Sequence, residues 1–449
     1  MIKKNKFFDN VAWIVGGQIL HAVLAFLISI VAARAFDKEG YGLINTVISY
    51  VSLATAFAAL GYNGIITKKF ADDPENCNKY IWSGMIFRCI TSVVAIIVLQ
   101  VLVFITNRGD TQRHILTFIN SLTLLFNAFD LIVYWFRYEM LAKVIAIIRI
   151  IALLCSAVIK LVGIFVFKSL YVYMAGIASE TLFFAIFSLY LYFKFASKHK
   201  PCFSLNVALD MLKHSYPFII SALMVSIYGQ TDKIMLESML ENGDAAVGLY
   251  SASVTIAGLI SILPTSMIEG FRPEIMKYKA SDSELYMRRF RQIYSLIMWT
   301  CLLYGLFVTL FAKQIILIIY SESYLGAVDS LSIIVWYTSF SYIGSVNNIF
   351  LVCEGKEKYA QWLTLAGAVC NVALNYLLIP SYGIAGAAFA SLSTQILANF
   401  IIPCILKPTR PAMKFMLEGV VFKDTLTKEE IMSCKKRIVS LKNKVFRKK

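Results

Sequence analysis

Apolar runs long enough to cross a lipid bilayer alternate with short polar connections along almost the whole chain. A hydrocarbon core about 30 Å thick needs roughly 20 apolar helical residues, and about twelve runs meet that length. They cover residues 11–33, 43–66, 80–105, 115–136, 144–167, 170–193, 216–240, 247–269, 293–320, 328–352, 359–379 and 382–406. Backbone N–H and C=O groups cannot stay unpaired in lipid, so each run is expected to be a helix. The predicted fold class is therefore an all-α polytopic membrane protein. Gly40-Tyr41-Gly42-Leu43 and Val247-Gly248-Leu249-Tyr250 stand near half the chain apart, each after a short acidic connection. With six spans per half, this spacing points to two six-helix lobes related by a pseudo-two-fold axis along the membrane normal. The expected domains are residues 1–194 and 216–406 as lobes, 195–215 as a cytoplasmic linker and 407–449 as a basic cytoplasmic tail.

Charge sets the orientation, because Lys and Arg accumulate in cytoplasmic loops. With both termini inside, Arg34, Lys38, Arg108, Arg113 and Lys168 are the basic residues left in outside loops, whereas 270–292 and the tail are crowded with them. A bacterial cytoplasmic membrane location with both termini cytoplasmic is expected. The net charge of +16 has no basic globular stretch behind it, which argues against nucleic acid as a partner. Charged residues are 16% of the chain, against about 25% in soluble domains, and mean hydropathy is +0.69. The nine cysteines contain no CxxC pair and fall in no outside loop, which fits reduced thiols. Lys3, Lys4 and Lys6 precede an apolar run and Ala33-Arg34-Ala35 mimics a cleavage site. That run far exceeds the usual apolar core of about 7–15 residues in a signal peptide, so it is read as a retained first span.

Enzyme chemistry is missing from the motifs. There is no GxxxxGK[ST] phosphate loop, no HExxH and no GxSxG elbow, and the four histidines are scattered. No catalytic residue, metal site or cofactor is expected. A membrane glycosyltransferase or polymerase would need a large external loop, and the outside connections are short. A transporter without nucleotide chemistry is the default reading.

Ionisable groups inside spans are costly and usually face a cavity or a partner. Arg88, Asp130, Arg149, Lys160, Glu180, Asp232 and Lys233 lie within the expected spans. Arg149 either snorkels to the headgroups or lines a lumen. Lys160 and Glu180 sit on adjacent spans and can form a structural ion pair. The cations Arg88, Arg149, Lys160 and Lys233 are candidates for binding an anionic substrate in a water-filled lumen. Asp130, Glu180 and Asp232 are candidates for ion coupling. Gln18, His21, Asn45, Ser49, Asn347 and Asn348 add polarity, and Asn371 and Asn375 share one helical face. Gly42, Gly61, Gly64 and Gly248 fall near helix ends, and Pro264 removes a hydrogen bond within the eighth span.

Five stretches carry a family resemblance: Ala33-Arg34-Ala35-Phe36 with Glu39-Gly40-Tyr41-Gly42; Leu60-Gly61-Tyr62-Asn63-Gly64-Ile65-Ile66; Phe129-Asp130 with Trp135-Phe136-Arg137-Tyr138-Glu139; Asp232-Lys233-Ile234-Met235-Leu236 with Val247-Gly248-Leu249-Tyr250-Ser251-Ala252; and 379–388 from Ile379-Pro380 to Ala387-Ala388. Over residues 5–406 the chain resembles the Wzx-like polysaccharide flippases of the multidrug/oligosaccharidyl-lipid/polysaccharide superfamily. The resemblance implies alternating access and movement of an undecaprenyl-pyrophosphate-linked oligosaccharide repeat unit to the outer leaflet, for capsule or lipopolysaccharide assembly. It also implies membrane lipids as surroundings and a polysaccharide polymerase or glycosyltransferases as partners. The family's lumen cations vary, and Arg88, Arg149 and Lys160 match them by type. An ion-coupled exporter of small amphipathic molecules is the alternative, although residues 11–33 lack the acidic residue such exporters often carry.

After Leu406 the composition changes. Thr427-Lys428-Glu429-Glu430 has capping-box spacing, and Ile431, Cys434, Ile438, Leu441 and Val445 follow at helical intervals. An amphipathic basic helix on anionic lipid is expected there.

Overall fold

The computed structural model describes residues 2–195 and 201–421, with side chains from residue 16 onward. The regular structure described is all helical. The long helices are α1 (Ile2–Ala35), α2 (Asp37–Ala58), α3 (Cys77–Thr106), α4 (Thr111–Tyr138), α5 (Ala142–Phe165), α6 (Leu170–Phe195), α7 (Leu205–Met239), α8 (Gly243–Ser281), α9 (Ser283–Leu310) and α10 (Val328–Cys353). The run Glu357–Ile405 turns at Gly383, whose φ of 54° and ψ of −132° no helix accommodates. That turn divides it into α11 (357–382) and α12 (384–405). A short helix, α13 (Arg410–Val420), follows.

Nine stretches among the described residues are long and apolar enough to span a bilayer, with α11 and α12 counted as one. α7 and α10 fall below the hydropathy criterion because their sequences are interrupted by Gln230, Asp232, Lys233 and Glu237, and by serines with Asn347 and Asn348. The all-α polytopic architecture expected from the sequence is the one observed.

Several boundaries differ from expectation, for local reasons. α2 stops at Ala58 because Leu60 and Gly61 adopt left-handed φ values of 53° and 61°. The chain then passes through a 3-10 turn at Tyr62–Gly64 and a short helix at Ile66–Asp72. The ninth expected span is broken at Phe311, after which Ala312–Ile319 forms a separate helix. α7 begins at Leu205, inside the stretch read as linker. α8 tightens into a 3-10 turn at Gly258–Ser261. Pro264 lacks the N–H that would bond the carbonyl of Ile260 in that turn. The amphipathic helix expected beyond residue 427 lies outside the described residues.

The chain divides into two compact units. The first comprises the described part of Met1–Thr255 with Ala312–Leu331 and Ala368–Ala390. One core in it joins Tyr62, Phe70, Ile81, Leu131, Phe136, Tyr192 and Met211, and another joins Ile28, Ile44, Val47, Leu116, Ile164 and Met174. Helices in lipid gain little hydrophobic energy by touching, so small residues and polar pairs specify which faces meet. Gly163 of α5 lies against the backbone of Tyr173 in α6, and a Cβ there would come within 2.8 Å of its nitrogen. α3 exposes Ile97, Val101 and Phe104, while its Val94, Val98 and Leu102 line an apolar cavity with α2 and α7.

α2 and α8 cross with their backbones nearly touching. A Cβ on Gly42 would lie 1.6 Å from the carbonyl oxygen of Asp244, and one on Gly248 would lie 2.0 Å from that of Lys38. Each glycine therefore faces the residue one turn before its counterpart, which is what a local two-fold produces. The pairing Gly42 with Gly248 is one residue tighter than the alignment of motifs in the sequence.

The second unit comprises Ile256–Phe311, Ser332–Gly367 and the described part of Ser391–Lys449. Phe290, Tyr294, Ile297, Val346, Phe350, Met413, Phe415 and Met416 form its core. α13 lays its apolar face on α9, fixed by Arg291 Nε donating to Glu418 Oε2 at 2.6 Å and by Gly419 against the carbonyl of Arg291. α12 carries a π-helical segment at Leu397–Ile401.

Candidate functional site

The intramembrane charges singled out in the sequence resolve into three separate groups, all within the first unit. In the first group, Arg88 of α3 is only 4% exposed. Its Nη1 donates to Asn63 Oδ1 at 3.4 Å, and Asn63 is presented by the 3-10 turn that ends α2's region. Asp130 lies in electrostatic reach of Arg88. α4 narrows to a 3-10 turn at Asn127–Asp130, which carries that carboxylate. Arg149 of α5 approaches the same carboxylate, Nη2 to Oδ1, at 3.8 Å, and stacks over Phe184 at 5.0 Å. Arg149 pairs with that carboxylate directly, whereas Arg88 bonds Asn63 and feels the carboxylate at longer range. The group keeps a surplus of positive charge, and Arg149 and Asp130 are partly exposed. Aromatic faces and guanidinium forks together suit a phosphate joined to a sugar.

In the second group, Lys160 Nζ donates to Glu180 Oε2 at 2.8 Å, and His21 Nε2 lies 2.8 Å from Oε1. Ser156 adds a hydroxyl at 3.3 Å. The carboxylate of α6 is thereby tied to α1 and α5. Lys160 is buried against its counter-ion.

Asp232 is the centre of the third group. It is 7% exposed, and Tyr250 of α8 donates its hydroxyl to Oδ2. Asn375 and Asn371 of α11 donate side-chain N–H groups to Oδ1 at 2.7 and 3.2 Å. The two asparagines share one face because they are four residues apart. Lys233, next in sequence, is half-buried and shares none of these bonds. A buried carboxylate held by a phenol hydroxyl and two amide N–H groups suits a proton or a monovalent cation. Among the described residues, no three His, Cys, Asp or Glu groups gather in a metal-ligand set.

Sequence reasoning missed two further polar networks. Arg113, placed in an outside loop by charge counting, is buried at the start of α4 and bonded to carboxylates of α7 and α8. Glu237, one of those carboxylates, went unremarked in the seventh span. In the second unit, Tyr294 of α9 donates to Asn347 Oδ1, and Asn347 Nδ2 donates to the carbonyl of Asn399 at 3.0 Å. Asn399 lies in the π-helical segment of α12. Only polar residues at helical spacing signalled this network. Tyr294→Phe is expected to leave the Asn347 oxygen buried without its donor and to cost about 1–3 kcal/mol. A lowered midpoint in thermal unfolding of the purified protein would register it.

The polysaccharide biosynthesis protein family model matches residues 7–270, and the MatE family model matches residues 217–377. Two uncharacterized membrane proteins of Methanocaldococcus jannaschii are similar to the chain. One is 22% identical over 426 residues, 87% of this chain and 82% of its own length. The other is 23% identical over 389 residues, 83% and 91% of the two chains. Among solved structures, the lipid II flippase MurJ in an inward closed conformation superimposes with a TM-score of 0.66 at 14% identity, over 91% of this chain and 90% of its own. An inward-facing multidrug resistance MATE family transporter gives 0.63 at 15% identity, over 91% and 96%. The eukaryotic MATE transporter AtDTX14 gives 0.63 at 12% identity, over 92% and 98%. At such identities the likeness speaks to the fold, which is the two-lobe, twelve-helix MATE-like one. The first family model reaches across more than half of the chain, so this multi-pass membrane transporter of the multidrug/oligosaccharidyl-lipid/polysaccharide superfamily belongs to the polysaccharide biosynthesis protein family.

Proposed function

We propose that the protein flips lipid-linked oligosaccharide repeat units from the inner to the outer leaflet of the cytoplasmic membrane, both of its termini cytoplasmic and residues 1–194 and 216–406 acting as the two moving halves. The observation that carries this reading is the surplus of positive charge at Arg88, Asp130 and Arg149, inside the stretch matched by the polysaccharide family. Sugar hydroxyls cannot cross hydrocarbon unaided, since each unpaired one costs a few kcal/mol. A polar path replaces water around the head group while the polyprenyl tail stays in lipid. The pyrophosphate then requires cations, and in this reading Arg88 and Arg149 supply them.

A second reading, an ion-coupled exporter of small amphipathic molecules, is favoured by the MatE match over 217–377, which includes Asp232, Asn371 and Asn375. The two readings share the coupling group and differ in cargo. In a deletion strain with no redundant flippase, undecaprenyl-linked repeat units are expected to accumulate on the cytoplasmic face, and the purified protein is expected to restore flipping in proteoliposomes. Normal surface glycan in that strain, with no effect on flipping in vesicles, would leave the exporter reading standing instead.

A further inference from the structure

At the end of the first unit that holds the α1–α2 and α7–α8 connections, α2 and α4 meet α7 and α8 through an almost wholly polar join. Arg113 is 6% exposed and donates to three carboxylates. Its Nε reaches Asp110 Oδ2 at 3.0 Å, its Nη2 reaches Asp244 Oδ2 at 2.8 Å, and its Nη1 bonds Glu237 Oε1. Glu237 also accepts from Tyr50 of α2 at 2.8 Å and from Asn107 at 3.1 Å. Asp244 also accepts from Thr46 of α2 at 3.4 Å. Beside these bonds lies the Gly42–Gly248 crossing, where the two backbones touch with no side chain between them. A polar cavity of about 330 Å³, lined by Glu39, Arg113, Glu237, Glu241 and Asp244 among others, adjoins the same residues.

We propose that this join is a gate latch, with Arg113 as the positioning residue that holds α7 and α8 against α2 and α4 in the shut state and lets go once per transport cycle. Three observations distinguish it from permanent packing. Every bond in it joins polar groups that water can satisfy once the helices part, and a polar cavity adjoins them. The glycine crossing interlocks no side chains, so the helices can part without dragging knobs from holes. One guanidinium serves three carboxylates, so the closed state holds excess negative charge and gains little beyond what Arg113 supplies. The proposal holds for either cargo.

The test uses the full chain in lipid nanodiscs, where both faces are accessible. Ser49 is fully buried one turn along α2 from Thr46. A Ser49→Cys protein is treated with a hydrophilic maleimide and read by peptide mass mapping, with Cys301, buried in the second unit, as the internal reference. Adding Arg113→Ala is expected to speed labelling of the introduced thiol by on the order of tenfold, with Cys301 unchanged. Adding Gly248→Ala, which wedges the crossing, is expected to act in the same direction. Arg113→Lys keeps the charge but not the fork, so its rate is expected to fall between. Unchanged labelling in both Arg113→Ala and Gly248→Ala would overturn the proposal. Equal acceleration at Cys301 would overturn it too, since Arg113 would then be holding the fold rather than a gate.

Discussion

Arg88→Ala is expected to slow flipping of a pyrophosphate-linked oligosaccharide by on the order of 100-fold in proteoliposomes. A charge-assisted hydrogen bond is worth about 1.5–3 kcal/mol, and a guanidinium can give a phosphate two of them. Each 1.36 kcal/mol corresponds to about tenfold in rate. Arg88→Lys keeps the charge and loses the fork, so a loss of roughly tenfold is expected. Arg149 is about half exposed and its charge is screened by solvent, so Arg149→Ala is expected to be milder. A neutral glycolipid would be affected much less than the pyrophosphate substrate if the two arginines act on the phosphates. Equal losses for both substrates would mean that Arg88 organises α3 and the Tyr62–Gly64 turn instead.

Asp232 carries the second large effect. Asp232→Ala strands the hydroxyl of Tyr250 and the amides of Asn371 and Asn375, each at about 1–3 kcal/mol if no other acceptor replaces the carboxylate. A sharply lowered thermal midpoint is expected. Asp232→Asn preserves volume and one acceptor while removing the charge. Flipping by that variant is expected to continue down a substrate gradient and to lose its response to an imposed Na⁺ or proton gradient. A full response from a folded Asp232→Asn protein would move the coupling role to Glu180, whose carboxylate is bonded to both His21 and Lys160.

The sequence made the class of fold plain because lipid imposes a single length scale on every helix. Boundaries were less legible where the backbone itself changes course. Leu60 takes a left-handed φ although an apolar run continues through it, and the break at Phe311 is flanked by apolar residues on both sides. Hydropathy has no term for either. The shared face of Asn371 and Asn375 was readable from helical periodicity, but their convergence on Asp232 depends on packing of α7 against α11, which periodicity does not encode. Arg113 was misread for a different reason. Charge counting treats a basic residue near a helix end as a loop residue, and the burial of Arg113 comes from carboxylates more than a hundred positions away.

The mutual fit of Gly42 and Gly248 bears on how relatives of this protein can be recombined. Each of those positions forbids a side chain on account of backbone contributed by the opposite half of the polypeptide. Hybrids that join the front of one homologue to the back of another should therefore assemble when both parents keep glycine at the crossing. Those from a parent with even an alanine there should assemble with that crossing held apart, however well the remaining surfaces agree.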